Sequence, residues 1–188
     1  MIFPEVADYY ARVLQKKKEY AAWKKEEQAR WEKANPELAK KLDTFFSGKT
    51  PAIDFSRMSQ KENIATRAAS GAVLAELADS VENLIVASAD LSNSDKTDSF
   101  LKKTTSFAYH DFSGAFLQTG VSELTIAAVA NGLALHGGVI PVCATFFVFS
   151  DYMKPAVRLA ALMELPVKYV WTHDAFRVGE DGPTHQPV

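Results

Sequence analysis

The closing stretch WTHDAFRVGEDGPTHQPV holds more ionisable side chains than a turn needs. His173, Asp174, Arg177, Glu180, Asp181 and His185 follow an apolar run, and Gly179, Gly182 and Pro183 shape the backbone between them. A lone loop histidine is usually just solvated. Two histidines and three carboxylates gathered after a buried strand suit a polar substrate site better. Zinc is the competing chemistry, but His173 and His185 lack the close spacing of zinc motifs. A second group is ATFFVFSDYMKP, where Phe146, Phe149 and Tyr152 recur every three residues as a strand gives way to a helix. Such rings are either core or a flat apolar slot that stacks a planar heteroaromatic ring, and the local sequence leaves both open. Glu123 is the third feature, one residue into an apolar helical run, LTIAAVANGLAL. It is either a first-turn acid favoured by the helix dipole or a functional carboxyl.

The elements that must position these groups follow from periodicity. NLIVASA at 83–89, VIPVCATFFVF at 139–149 and PVKYVWT at 166–172 read as buried strands, with strand cores near 84–88, 139–149 and 166–172. Ile64, Ala68, Val73, Leu74 and Leu77 follow helical spacing. Ser122 to His136 is helical, with Ser122 as a candidate cap and Gly137-Gly138 as the stop. Ser150 to Met163 is helical despite Pro155, and Asp90 to Lys103 is polar and loop-like. Helices alternating with apolar strands imply an α/β fold with a parallel sheet flanked by helices. Ligands bind such sheets at the carboxyl ends of the strands, where Asp90, Phe149 and His173 fall.

Before this part lies a segment rich in Lys, Glu, Ala and Gln, reading as charged connecting helices. Pro4 suits the first turn of one, and Asn35 followed by Pro36 opens the next. Tyr9, Tyr10, Val13, Trp23 and Trp31 give it only a sparse apolar side, and Ser47 to Ser56 reads as a linker. The expected division is a helical segment over 1–62 and an α/β domain over 63–188.

Composition limits the remaining classes. The 188 residues carry 21 basic and 23 acidic side chains, a net charge of -2, which speaks against nucleic acid as partner. A single cysteine, Cys143, cannot form an internal disulfide and suits a reducing compartment. No apolar run approaches the ~18 residues of a membrane span, and the start lacks the pattern of a signal peptide, so a cytoplasmic protein is expected. No glycine-rich phosphate loop occurs.

From about Ile64 onward the chain resembles the pyrimidine-binding part of transketolases. The resemblance is carried by ATRAASGAVLAELA, ASADLSNS, ANGLALHGG, ATFFVFSDYMKPAVRLAALMELPV and THDAFRVGEDGPTHQPV, of which GEDGPTHQP is the most specific. The helical start looks like the family's interdomain segment. The resemblance implies thiamine diphosphate as cofactor. Magnesium is implied too, held by a GDG motif that this chain lacks, so no metal ligand is assigned here. It implies transfer of a two-carbon ketol unit from a ketose phosphate to an aldose phosphate, and a homodimer with sites built from two chains. It also implies a domain cut short at its C-terminus, inactive alone.

Roles carry over only where residues match. Glu123 matches the glutamate at N1′ of the aminopyrimidine, a role that calls for a carboxyl buried enough to share a proton near neutral pH. Phe146, Phe149 and Tyr152 match the pocket around that ring. Arg67, Ser94 and His173 match groups that hold the sugar phosphate. Asp181 and His185 match residues near the sugar hydroxyls and the reacting carbon, with His185 suited to proton transfer. Asp90 matches an acid lining the site. One departure is the setting of Glu123: the family's common GVREHAM is GVSELTI here, with Ser122 and Leu124 in place of arginine and histidine. The alternatives are a sister thiamine-diphosphate enzyme, of the 1-deoxyxylulose-5-phosphate synthase or pyruvate dehydrogenase β-chain type, and a non-catalytic module that keeps the fold.

Overall fold

A computed structural model describes residues 3–174 and 182–187, the side chain of Arg57 apart. Contacts divide the chain into two units, Met1–Thr44 and Phe45–Val188.

The first unit is helical. Helix α1 spans Pro4–Ala34 and has no buried residue, with Pro4 in its first turn. Its polar surface is laced by near neighbours: Lys24 pairs with Glu27 at 2.7 Å, and Gln15 and Gln28 each donate to a glutamate one turn on at 2.8 Å. Helix α2 runs Pro36–Phe46, its first bond made by Ala39 N–H to the carbonyl of Asn35. The side chain of Asn35 does not cap α2. It donates back to the Trp31 carbonyl at 2.9 Å and so closes α1.

The second unit is a parallel α/β layer structure. Its elements are α3 (Thr66–Ser80), β1 (Leu84–Ser88), α4 (Ser92–Asp95), α5 (Asp98–Leu101), β2 (Phe116–Gln118), α6 (Glu123–His136), β3 (Ile140–Phe146), α7 (Ser150–Leu162) and β4 (Lys168–Thr172). The sheet order is β2-β1-β3-β4 and every pairing is parallel. Side chains alternate along each strand, which fills two cores. Ala87, Cys143, Ile126, Ala130, Met153 and Ala156 pack between the sheet and α6 and α7. Leu74, Val86, Phe100, Phe116 and Val142 pack on the opposite face beneath α3 and α5. Residues 45–62 belong to this unit, where Ile53 packs against the second core. Burial pushes the Cys143 thiol up to about 12, so it serves as an inert core residue.

Several expectations need correction. Strand β2 went unread, because three residues are too few to show a period. The segment from Asp90 to Lys103 is not a loop but carries α4 and α5. The second apolar run, 139–149, stops being strand at Phe146; Phe147–Phe149 turns as a short 3₁₀ helix into α7. Ser122 does not cap α6: its hydroxyl donates to the Thr119 carbonyl at 2.9 Å. Gly137 does end α6, at φ 80.

Buried polar groups tie the layers together. Asn131 of α6 donates to the Ala156 carbonyl of α7 at 2.8 Å and accepts from the Tyr169 hydroxyl of β4 at 2.8 Å. Burial raises the Tyr169 hydroxyl to about 12, so it stays a donor at any working pH. Gly71 sits where a Cβ would come within 2.9 Å of Lys96 Cβ, so only glycine lets α3 lie this close to the Lys96–Ser99 turn.

Candidate functional site

Because all four strands are parallel, the segments that leave them share one end of the sheet. Two of these exits bend through left-handed backbone at non-glycine residues: Asp90 after β1 (φ 61) and His173 after β4 (φ 56). Such residues are uncommon and collect where side chains must be aimed.

The exits of β3 and β4 meet in a row of rings. The His173 imidazole stacks on Phe146 at 3.7 Å between centroids, inclined by 30°. Phe146 and Phe149 lie nearly parallel, 5.8 Å apart, and Tyr152 continues the row 6.2 Å beyond Phe149. His185 meets Phe149 and Phe146 edge-on, at 5.4 and 6.1 Å. The two readings of these aromatics divide between residues: Phe146 is buried, Phe149 half-buried, and Tyr152 is 63% exposed at the rim. A strand that turns at once into a 3₁₀ helix and then α7 delivers all three rings to one place.

Each histidine is held by the threonine before it. Thr172 Oγ1 lies 2.9 Å from Nδ1 of His173, and Thr184 Oγ1 lies 2.7 Å from Nδ1 of His185. The segment carrying His185 is a tight turn in which His185 and Gln186 N–H groups both donate to the Gly182 carbonyl at 3.1 Å. Arg67, in the first turn of α3, donates from its guanidinium to Nε2 of His173.

The structure thus brings Arg67, Phe146, Phe149, Tyr152, His173 and His185 into one connected set. Glu123, Asp90 and Ser94 lie at the same end of the sheet but outside that set of ring and hydrogen-bond contacts. Glu123 is the first residue of α6 and is only 8% exposed. Asp90 is exposed and Ser94 half-buried within α4. Asp181, with Arg177 and Glu180, lies outside the described residues.

One group here had no signal in the sequence. Asp95 is 1% exposed and accepts from Ser88 Oγ at 2.6 Å, Thr97 N–H at 2.9 Å and Thr97 Oγ1 at 2.7 Å. Ser88 Oγ in turn accepts from Leu91 N–H at 3.2 Å. This network pins the 88–97 segment that carries Asp90 and Ser94. Burial drives the Asp95 carboxyl above the ordinary carboxylate range even against those three donors.

Comparison with known proteins decides what this arrangement belongs to. The family "Transketolase, pyrimidine binding domain" matches residues 62–188. The chain belongs to that family. A transketolase of Halalkalibacterium halodurans is 46% identical over 187 residues, covering 98% of this chain and 28% of the relative. A Bacillus subtilis transketolase is 47% identical over 157 residues, or 81% of this chain and 23% of the relative. Among solved structures, transketolase from Leishmania mexicana superposes with a TM-score of 0.83 at 35% identity, covering 100% of this chain and 28% of its own. A Pichia stipitis transketolase solved with sedoheptulose 7-phosphate gives 0.81 at 34% identity, covering 100% of this chain and 29% of its own. The chain therefore spans about a quarter of the length of these transketolases. No helix among the described residues is long and apolar enough to cross a membrane.

Proposed function

We propose that this chain forms the pyrimidine side of a thiamine-diphosphate site in a transketolase, acting in ketol transfer between sugar phosphates. The observation that carries the reading is the ring row at the sheet's carboxyl end, with Arg67 and both histidines attached to it.

The residues present suit the cofactor. Phe146, Phe149 and Tyr152 offer flat apolar surface for a planar heteroaromatic ring, and Glu123 offers a buried carboxyl at the same end of the sheet. When bound, thiamine diphosphate supplies the carbanion chemistry. Glu123 then has the task of holding a proton at N1′ of the aminopyrimidine; its 8% exposure keeps water from competing for it. Arg67 presents a planar fork suited to two phosphate oxygens, and Ser94 and His173 complete a phosphate site. His185, with Nδ1 engaged by Thr184, keeps Nε2 for a substrate hydroxyl near the reacting carbon, and Asp181 adds an acceptor for the sugar. Asp90 lines the entrance as an exposed carboxylate.

Magnesium and the diphosphate belong, on this reading, to a separate domain of a partner subunit, which makes the working unit a homodimer. The outer face of α6 supports that assembly. Leu124, Ala128, Val129, Gly132 and Leu135 are exposed along it, with no charged residue among them. Nothing lies within 4 Å of a Cβ built on Gly132, so internal packing does not require glycine there. A cytoplasmic location follows from sugar phosphates as substrates.

The test is a coupled assay with xylulose 5-phosphate, ribose 5-phosphate, thiamine diphosphate and magnesium. It is run on the chain alone and again with the remaining domains of a full-length relative. No turnover alone and turnover after complementation is the expected result. Turnover by the chain alone would overturn the two-chain site, and turnover only with pyruvate as donor would move the chain to a sister enzyme.

A further inference from the structure

We infer that a phosphate dianion binding at the Arg67–His173 pair brings one proton from solvent onto Nε2 of His173. This rests on the reading that Arg67, Ser94 and His173 hold the phosphate of a sugar phosphate.

The geometry fixes where the imidazole proton sits before binding. A guanidinium has five donors and no acceptor, so Nε2 of His173 must face Arg67 with its lone pair. The ring proton is then on Nδ1, donated to Thr172 Oγ1 at 2.9 Å. The pair is built with His173 neutral. Phe146 stacked at 3.7 Å and the left-handed backbone at φ 56 hold the ring in that pose.

A phosphate dianion offers only acceptor oxygens, and a lone pair on Nε2 cannot bond to them. A donor at Nε2 arises in one of two ways. The ring takes up a proton and becomes imidazolium, or its proton moves from Nδ1 to Nε2 while the Thr172 hydroxyl turns to donate. The first matches charge to charge: Arg67 and protonated His173 carry two positive charges against the dianion's two negative ones. Imidazole ordinarily titrates near ~6.5, so the proton is within reach at neutral pH. Among the described residues, the charged and titratable groups around His173 are Arg67 from α3, the exposed Asp174 next in the chain, and His185 at the edge of the same Phe146 ring. One proton is taken up per phosphate: the Nε2–H bond forms, the bond to the solvent acid that gives the proton breaks, and no other bond changes. Affinity for a sugar phosphate should consequently fall by up to about tenfold per pH unit above the free imidazole's range.

The experiment is a proton NMR titration of the chain's four histidines, in chloride and in inorganic sulfate at matched ionic strength. Sulfate mimics the phosphate dianion, and its charge stays fixed across the imidazole range. The expected result is a rise of at least about one pH unit in the His173 midpoint in sulfate, with His110 and His136 unmoved. Sulfate that shifts the Arg67 and Ser94 signals yet leaves the His173 midpoint in place would overturn the inference in favour of the proton shift within the ring. No response at Arg67, Ser94 or His173 would overturn the phosphate-site reading beneath it.

Discussion

The two ends of the parallel sheet are built differently. At the amino end the backbone is tied to itself. Asn83 Nδ2 donates to the Gly138 carbonyl at 3.0 Å, and Ile140 N–H donates to the Asn83 carbonyl at 2.9 Å. Gly137 and Gly138, both at φ 80, make the turn into β3. The carboxyl end, which bends at Asp90, Gly120 and His173, instead gathers stacked rings with a guanidinium. Left-handed backbone does not separate the ends, since Glu164 adopts it at φ 53 just before β4; the rings and charged groups gathered beyond the strands do. One end is made for stability and the other to present groups.

The largest test of that contrast is Glu123→Gln in a full-length enzyme carrying this domain. The amide keeps the shape but cannot exchange the proton, so turnover should fall by roughly 10²–10⁴-fold with little change in sugar binding. Steady-state kinetics decide it, and wild-type turnover would remove Glu123 from the chemistry.

A paired comparison comes next. Phe146→Ala removes a buried ring that both packs and stacks, and should lower stability by ~3–5 kcal/mol as well as weakening cofactor binding. Asn83→Ala at the amino end should lower stability by ~1 kcal/mol and leave turnover unchanged. Urea denaturation and activity measured on both variants would blur the contrast if Asn83→Ala proved the more damaging to turnover.

The smallest effect concerns Asp95. Burial raises its carboxyl above the unfolded value of ~3.9, so the stability it contributes is fully present below that pH. It is lost as pH rises through the folded value. Asp95→Asn does not ionise and should gain on wild type as pH climbs from about 4 toward neutrality. Melting temperatures of both proteins across that range would show it, and parallel curves would mean that folding leaves the carboxyl unperturbed.

The sequence by itself determined the parallel α/β class and three of the four strands among the described residues. Apolar runs of strand length and a run as specific as GEDGPTHQP are local features, legible one after another along the chain. It could not determine β2, whose three residues become a strand only because β1 offers its edge. Nor could it determine that α4 and α5 replace a loop. Their backbone is organised around Asp95, whose partners depend on where β1 ends. The same holds for the site. The polar loop pointed to His173 and the family resemblance to Arg67, but 106 positions part them, and only the packing of α3 against the sheet sets guanidinium on imidazole. Periodicity reports which side of an element is apolar; contacts between distant elements are fixed by the shape of the packed core.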